Sequence, residues 1–502
     1  MPDAVIPVTF LALLSEFYTV FSSPTLENFK VLIIGGIHAI GKHRISDIIR
    51  ASGSIAHKHY CSYYRFFSHA NWDLDAAGLV LFELVCRFIN DKTIECVLDD
   101  TLARRNGKQV ALATMHADPL LKQKGKPFCS YGHVFVVLAV HIKSLPIARV
   151  GWALPFMFRL FESSKKGGQK HSPHQKRREF WRREKGKQIR KRCRLTDRKV
   201  ENNKIVECKD AQHDNGPLPD SVRPTKLQLA ADMILKVATQ YRNLKFRVIA
   251  DHAYNGKCLF HNVLKQVDNV SFISRGNEDA ALYKLPPKNT DKRNKKRGRP
   301  RVKGERLPTP KQWAKKHPEK FVDVTLDMYG HDVNVQVAHF DGMAYRTLPG
   351  RLIRYVIVKD PNGIYDFQYL MCTDIEMTAE QIVVTYSNRW PLELTFKEAK
   401  QKLGLQDPQT QLPKSVRRTV PFSLLLYSLV VLWYLEDGHL LAPKLCPMAD
   451  PWYTKKPRPS FSDMLATLRR AGWNKIFVDP TCNDTLRSKI LKEYITKIVV
   501  AA

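Results

Sequence analysis

The chain has 502 residues, and its 81 lysines and arginines outnumber its 48 aspartates and glutamates, which gives a formal net charge of +33. This length allows about two to four domains with a large buried core. The charge favours a polyanionic partner, with nucleic acid as the first choice and an anionic membrane surface as the second. No CxxC pair occurs among the ten cysteines. This argues against structural zinc and favours reduced thiols in a cytoplasmic protein.

Neither a signal peptide nor a membrane span is predicted. The N-terminus, MPDAVIPVTFLALLSEF, has no basic region before its apolar residues and carries Asp3 and Glu16. The longest apolar run, residues 420–435, is shorter than the ~20 residues that cross a bilayer. We therefore expect this run to be a buried helix, and we expect no membrane partner.

Residues 1–90 are predicted to form a helical N-terminal domain. The stretches LENFKVLIIGGIHAI and LDAAGLVLFELVCRFI carry apolar patterns of helical length. Between them, HRISDIIRASG and HKHYCSYYRFF resemble a small helical DNA-binding unit. A helical domain that serves only packing fits the same pattern, and this alternative stays open.

Residues 91–275 alternate between strand and helix patterns. TIECVLDDT is an apolar run with two aspartates at its end, and residues 132–142 and 147–161 read as two more strands. A basic excursion at 163–220 follows. Next come an amphipathic helix at 225–243, a strand ending at Asp251, a further helix, and a strand at 270–274. The pattern predicts a mixed α/β domain.

The last part of the chain begins with a segment rich in strands, at 276–375. It contains a basic arm at 288–308, followed by three antiparallel strand patterns. We then expect a helix within 376–410 and a helical C-terminal region at 411–502. The arm includes Gly298, Arg299 and Pro300, the core of a short minor-groove motif. A solvated basic loop is the alternative.

The segment TYSNRWPLELTFKEAKQKLGL, residues 385–405, gathers an acid, a phenol and three bases. On an ideal helix, Tyr386, Arg389, Glu393, Lys397 and Lys400 fall within roughly an 80° arc. Ion pairing on a solvated face, such as Glu393 with Lys397, explains this pattern equally well. Pro391 must either kink such a helix or begin a new one.

Three carboxylates in this order suggest a common site. Acids end the first strand, at Asp99 or Asp100, and the fourth strand, at Asp251, while Glu393 lies on the late helix. Strand ends of a mixed sheet bring side chains together in one crevice. Carboxylates are ligands for Mg²⁺ or Mn²⁺ rather than for zinc. Two such ions about 3.5–4 Å apart support phosphodiester cleavage, and basic neighbours would hold the DNA backbone.

At these residues the chain resembles a family. The spacing of Tyr386, Arg389, Glu393 and Lys400 reproduces the Tyr-Arg-Glu-Lys (YREK) signature of bacterial cut-and-paste insertion-sequence transposases, which are DDE enzymes. LDDT and IADHAYNG resemble the family's first and second aspartate motifs. The resemblance implies a ribonuclease-H-like catalytic core interrupted by a β-rich insertion. It also implies Asp100, Asp251 and Glu393 as metal-binding catalytic residues. Asp100 is preferred to Asp99 because it precedes Thr101.

The resemblance also implies partners. Tyr386, Arg389, Lys397 and Lys400 would contact the DNA of the transposon end, and the insertion would offer a tryptophan, Trp313, for a flipped base of a hairpin intermediate. The basic arm adds Arg297, Arg299 and Arg301 as candidate DNA contacts. The expected cofactor is Mg²⁺, for which Mn²⁺ can substitute. The expected partners are double-stranded DNA, both transposon ends and target, and a second copy of the chain in the DNA complex. The expected location is the cytoplasm, in association with the nucleoid.

Two alternatives remain open at this point. A transposase-derived DNA-binding protein would use the fold without catalysis, although the intact set of acids argues against it. A nuclease of the same fold would cut without joining, and a strand-transfer assay separates it from a transposase.

Overall fold

The computed structural model describes residues 6–118, 121, 128–144, 147–162, 223–287, 301–363, 366–445 and 458–478. The chain divides into two compact units, Met1–Phe161 with Pro224–Ala502, and Glu162–Arg223. The predicted basic excursion at 163–220 makes up nearly all of the second unit and lies outside the described residues.

The predicted helices and strands of the first unit occur in the predicted order, with three additions: a short strand at Thr114–Ala117, a helix at Pro310–Lys316, and a hairpin that divides the first strand pattern of the insertion into two strands. The longer helices are α1 Val8–Ser15, α2 Ser23–His38, α3 Ile45–Ser52, α4 Tyr60–Ser68, α5 Leu74–Cys86, α6 Lys226–Gln240, α7 Lys257–Gln266, α8 Pro310–Lys316, α9 Ala379–Ser387, α10 Trp390–Lys402, α11 Pro413–Trp433, α12 His439–Leu445 and α13 Phe461–Val478. The strands are β1 Thr93–Arg104, β2 Thr114–Ala117, β3 Cys129–Ser144, β4 Ala148–Phe161, β5 Lys245–Ala250, β6 Val270–Arg275, β7 Val322–Met328, β8 His331–Gly342, β9 Ile353–Lys359 and β10 Gln368–Cys372.

The sheet has the strand arrangement of a ribonuclease-H-like core. Strand β3 pairs antiparallel with both β1 and β4. On the other side of β1, strands β5 and β6 add in parallel. A helix joins β4 to β5 and another joins β5 to β6, as parallel neighbours require a crossover connection. The predicted mixed α/β fold with a ribonuclease-H-like core is confirmed.

The strands of the predicted insertion continue the same sheet. Strand β10 pairs antiparallel with β6, and β9, β8 and β7 follow outward to the edge. The turn between β7 and β8 contains Tyr329 and Gly330, both with positive φ. Positive φ at both central residues fits the right-handed twist of a tight hairpin. The insertion therefore extends the sheet, and the β7–β8 hairpin forms the edge of the extension.

Helix α11 is buried in the core of the first unit. Every residue from 418 to 434 is buried, which confirms the prediction of a buried helix at 420–435. By length and composition, Pro413–Ala442 is the one stretch among the described residues that could cross a membrane, but 94% of its apolar window is covered by the rest of the fold. Packing within the protein therefore accounts for its apolar character.

The N-terminal helices share this core. Phe66 and Phe67 of α4 contact the ring of Phe422 in α11. The buried guanidinium of Arg418 donates to the main-chain carbonyls of Phe66 and Ala70, and it lies 4.1 Å from the ring of Trp72. The predicted N-terminal helices are found between Val8 and Cys86, and they are anchored to the C-terminal helical region through α11.

The residues of the signature lie on two helices, which confirms the alternative that Pro391 begins a new helix: α9 ends at Ser387, and α10 begins at Trp390 with Pro391 in its first turn. Proline fits a first turn because it has no N–H group to leave unpaired there. The prediction that an aspartate ends the first strand is wrong, because Asp99 and Asp100 lie within β1, whose pairing with β3 continues to Arg104.

Candidate active site

Two adjacent aspartates of β1 point to opposite faces of the sheet, as side chains alternate along a strand. On one face, Asp99 accepts a hydrogen bond from Nη1 of Arg389 at 3.2 Å. On the other face, Asp100 accepts hydrogen bonds from Nζ of Lys226 at 2.8 Å and from the hydroxyl of Tyr254 at 3.0 Å. The main-chain N–H of Asp100 also donates to Asp99. The two carboxylates thus belong to different networks that meet at the strand.

Asp251 lies beside this pair, directly after the neighbouring strand β5. The parallel register of β1 and β5 ends with Leu98 opposite Ala250. Asp99 and Asp251 are the residues that follow these two partners. Asp251 is still extended, with φ of −72° and ψ of 168°, before a short 3-10 helix begins at His252. The order predicted from the sequence, with Asp251 directly after a strand, is found in the structure.

Arg389 connects Glu393 to β1. Its Nη2 lies 2.6 Å from Oε1 of Glu393, while its Nη1 holds Asp99. Glu393 lies in the first turn of α10, where the positive end of the helix dipole favours a carboxylate. The break between α9 and α10 therefore has a consequence: it places Arg389 at the N-cap, where it can reach the sheet and Glu393 together.

The carboxylates interact electrostatically as one group. Burial raises the pKa of Asp99 to about 7, with Asp100 and Asp251 adding to the rise while Arg389 opposes it. The pKa of the Tyr254 phenol is also raised, first by its burial and then by Asp100, Asp99 and Asp251. Repulsion of this kind favours protonation, or the binding of a cation, over three free negative charges.

The remaining residues of the signature lie at different distances from the acids. Tyr386 is half-buried at the end of α9, and its raised pKa reflects burial first, with Arg389 and Asp251 as charged neighbours. Lys397 is exposed on α10. Lys400 is half-buried, and burial followed by the nearby Arg104 lowers its pKa. The structure thus brings Tyr386 to the acids and leaves Lys397 on the open surface.

Comparison with known sequence families agrees with this geometry. The model described as "DDE superfamily endonuclease" matches residues 16–329, more than half of the chain. The chain belongs to the DDE superfamily endonuclease family. A second model, described as "Archaeal putative transposase ISC1217", matches residues 316–438, which include α9, α10 and the signature.

No curated protein matches this DDE chain significantly in sequence. Among solved structures, a cryo-EM structure of the piggyBac transposase synaptic complex with hairpin DNA has a TM-score of 0.38 and 9% sequence identity. That match covers 94% of this chain and 76% of the other. At this score the geometric agreement is too small to support a functional comparison.

The donor chemistry of the acids suits the divalent cation that a DDE enzyme needs. Carboxylate oxygens are the ligands that Mg²⁺ and Mn²⁺ prefer. Burial is the main cause of the raised pKa of Asp99, and the neighbouring charges of Asp100 and Asp251 add to it. Among the described residues, no three His, Cys, Asp or Glu side chains already form a group that could hold a metal ion. Arg389 and Lys226 instead pair with the oxygens of Asp99, Glu393 and Asp100. The acids therefore fit the cation by type, while basic side chains now neutralise them.

The remaining predicted DNA contacts are the arginines of the basic arm and Trp313 of the insertion. Arg297 and Arg299 lie outside the described residues, whereas Arg301 is exposed. Trp313, on α8, is partly buried, and its ring stacks on Phe340 with centroids 4.7 Å apart. One face of the indole is therefore already covered by the protein.

Sequence reasoning missed two residues of the site. Tyr254 follows Asp251 by three residues, within the motif IADHAYNG, whose aspartate is the only residue that the resemblance singles out. Lys226 is the first residue of α6, far from every motif in the sequence. A clue to Lys226 is its placement at a helix N-terminus, where the helix dipole disfavours a cation.

Proposed function

We propose that this DDE superfamily protein is a DNA transposase of the bacterial insertion-sequence type that carries the YREK signature. In this proposal it binds the ends of a mobile element, cuts them, and joins the freed 3′-hydroxyls to target DNA. The observation that carries the proposal is Arg389, which ties Glu393 to Asp99 beside Asp100 and Asp251. Membership of the DDE superfamily endonuclease family supports the proposal, because such acids are expected to serve DNA cleavage in that family.

Asp100, Asp251 and Glu393 would hold two Mg²⁺ ions, with Mn²⁺ as a substitute. When bound, these ions would lower the pKa of the attacking hydroxyl and offset charge on the leaving oxygen. The chain's own contribution is position and charge. The β1–β5 register fixes the spacing of the aspartates, and α10 presents Glu393 from its first turn.

Two displacements at phosphorus would make up the reaction. In the first, the oxygen of water bonds to the phosphorus at the element end, the bond to the 3′-oxygen breaks, and a 3′-hydroxyl is released. In the second, that hydroxyl oxygen bonds to a phosphorus of the target DNA, whose own 3′-oxygen leaves. Each attacking oxygen loses its proton to solvent, and each leaving oxygen takes one up. The resemblance also implies a hairpin intermediate between the two steps.

The basic side chains around the acids would bind the DNA backbone. Tyr386 and Arg389 lie next to the carboxylates, and Lys397 and Lys400 follow along α10. We assign phosphate contacts to all four. Arg297, Arg299 and Arg301 of the basic arm would add affinity that depends on salt rather than on sequence. Trp313 remains a candidate for a base contact, which would require its ring to leave Phe340 or His317.

The proposed partners are double-stranded DNA and a second copy of the chain, because two element ends must be held together for joining. A net charge of +33 supports a polyanionic partner. The proposed location is the cytoplasm, in association with the nucleoid. The helical N-terminal residues 1–90 are proposed to contribute to DNA binding.

Cleavage of a labelled duplex that carries the element's own end tests the proposal. We expect the wild type to cut at the end with Mg²⁺ or Mn²⁺, and Glu393→Gln to bind the same duplex without cutting. Glu398→Gln, on the same helix, is the matched control and should cut normally. If the wild type binds and never cuts, the protein is a DNA-binding derivative. If it cuts but never joins a 3′-hydroxyl to a second duplex, it is a nuclease.

A further inference from the structure

Lys226 holds an unusual position on its own helix. It is the first residue of α6, directly after the N-cap Thr225. A positive charge is disfavoured there, because the N-terminus of a helix is itself the positive end of the dipole. The ammonium nevertheless lies 2.8 Å from Oδ2 of Asp100 and 5.6 Å from the centre of the Phe161 ring. Attraction to Asp100 therefore outweighs the unfavourable helix position.

The two oxygens of Asp100 are held in different ways. Oδ1 accepts the hydroxyl of Tyr254, whose side chain is fully enclosed, with 1% of the residue exposed. Oδ2 is held by Lys226, whose side chain is 34% exposed. A buried tyrosine cannot leave without repacking the core. A half-exposed lysine on a four-carbon stem can rotate into solvent at small cost.

We propose that Lys226 is a built-in counter-ion of the candidate metal site: its ammonium pairs with Oδ2 of Asp100 and competes with the divalent cation for that oxygen. This inference rests on the proposed function, because it takes Asp100 as a metal ligand. Tyr254 remains on Oδ1, so Asp100 offers the cation one oxygen. The ammonium of Lys226 compensates the charge of Asp100 when no cation is bound, and it lowers the apparent affinity for the cation.

The same logic does not extend to Arg389, which differs in its burial and its contacts. Its guanidinium holds both Asp99 and Glu393, and its Nε is buried with no hydrogen-bond partner. Moving it would break two ion pairs at once. Lys226, with a single carboxylate partner among the ion pairs of the described residues, is the cation that can be exchanged.

Binding of Mn²⁺ to the full-length protein, without DNA, tests this inference. We would measure free Mn²⁺ by electron paramagnetic resonance in the wild type, Lys226→Met and Lys226→Gln at one salt concentration. Removing a charge that must be displaced should tighten Mn²⁺ binding at least about fivefold in both variants. Lys236→Met is the matched control, since Lys236 lies on the same helix and pairs with Asp75 instead. Its affinity should equal that of the wild type.

Each outcome decides between the readings. Unchanged or weaker Mn²⁺ binding in both Lys226 variants, with melting temperatures near that of the wild type, overturns the inference. If one variant fails to fold, the other carries the test. Should the wild type bind Mn²⁺ and cut DNA while the variants bind it equally, the inference alone fails. If neither the wild type nor the variants bind Mn²⁺, and the wild type does not cut, the proposed function fails with it.

Discussion

Arg389 Nη2 lies 2.6 Å from Oε1 of Glu393, one helical turn further along the chain. The same guanidinium reaches Asp99 with its other terminal nitrogen. Its pKa is raised, because Glu393, Tyr386 and Asp99 together outweigh the opposing effect of burial. Arg389 therefore stays charged, and it fixes the distance between α10 and strand β1.

The first prediction concerns this bridge. Arg389→Lys keeps the charge but loses the planar fork that holds two carboxylates at once. We expect cleavage of an element end to fall on the order of 100-fold, because a shift of about 1 Å in a catalytic group can cost that much. Initial rates at saturating Mg²⁺ measure the effect. Arg354→Lys is the control, because Arg354 pairs with both oxygens of Asp341 on the insertion side of the sheet. Equal rates in both variants would contradict the role of the bridge.

A second prediction separates the two aspartates of β1. If Asp100 is the metal ligand, Asp100→Asn should abolish cleavage, and Asp99→Asn should leave a measurable rate. Asp251→Asn is the positive control for complete loss. The geometry makes this experiment necessary, because Arg389 links Glu393 to Asp99, whereas Asp100 faces Lys226 and Tyr254. If only Asp99→Asn is inactive, the assignment moves to Asp99 and the inference about Lys226 loses its basis.

Much of the core could be predicted from the sequence because its strands and helices carry strong periodic patterns. The apolar runs in residues 132–142 and 147–161, and the amphipathic helix after them, match β3, β4 and α6. The position of Asp251 also followed from pattern alone. By contrast, the continuation of the sheet into β7–β10 depends on pairing between β6 and β10, and no local pattern encodes which strands meet.

The candidate site was harder to predict because side-chain direction decides it. Asp99 and Asp100 are identical in residue type, and what distinguishes them is the face of the sheet to which each side chain points. Lys226 reaches Asp100 across 126 residues of sequence, so no spacing rule could have paired them. The helix break at Arg389 was signalled by Pro391, yet its effect on Glu393 became clear only from the packing of α10 against the sheet.

A third prediction follows from the raised pKa of Asp99. Burial lifts this pKa from the ordinary aspartate value to about 7, so the folded state binds the proton more tightly than the unfolded state. The stabilising contribution of Asp99 is therefore complete below about pH 4 and is lost as the pH rises through about 7. Asp99→Asn removes this dependence. The melting temperature of the variant minus that of the wild type should increase between pH 5 and pH 8, in buffer with a chelator.

Asp232→Asn serves as the reference for this pH series, because Asp232 pairs with Arg159 at an exposed position. Its difference from the wild type should change little over the same pH range. A flat difference for Asp99→Asn as well would mean that neither burial nor the neighbouring acids raise the pKa of Asp99, and the case for a buried acidic site would weaken.

A fourth prediction concerns the anchor between the N-terminal helices and α11. Arg418 is buried, and its guanidinium donates to carbonyls at the end of α4 and in the loop after it. Arg418→Leu would leave these carbonyls without partners, at a cost of about 1–3 kcal/mol for each group that stays buried. We expect the free energy of unfolding, measured with urea, to fall by at least about 2 kcal/mol.

Lys414→Leu is the matched control for Arg418→Leu, because Lys414 donates to the carbonyl of His69 from an exposed position on the same helix. Its change should stay within about 0.5 kcal/mol. Equal losses in the two variants would show that Arg418 does not anchor the N-terminal helices, and residues 1–90 could then move independently of the catalytic core.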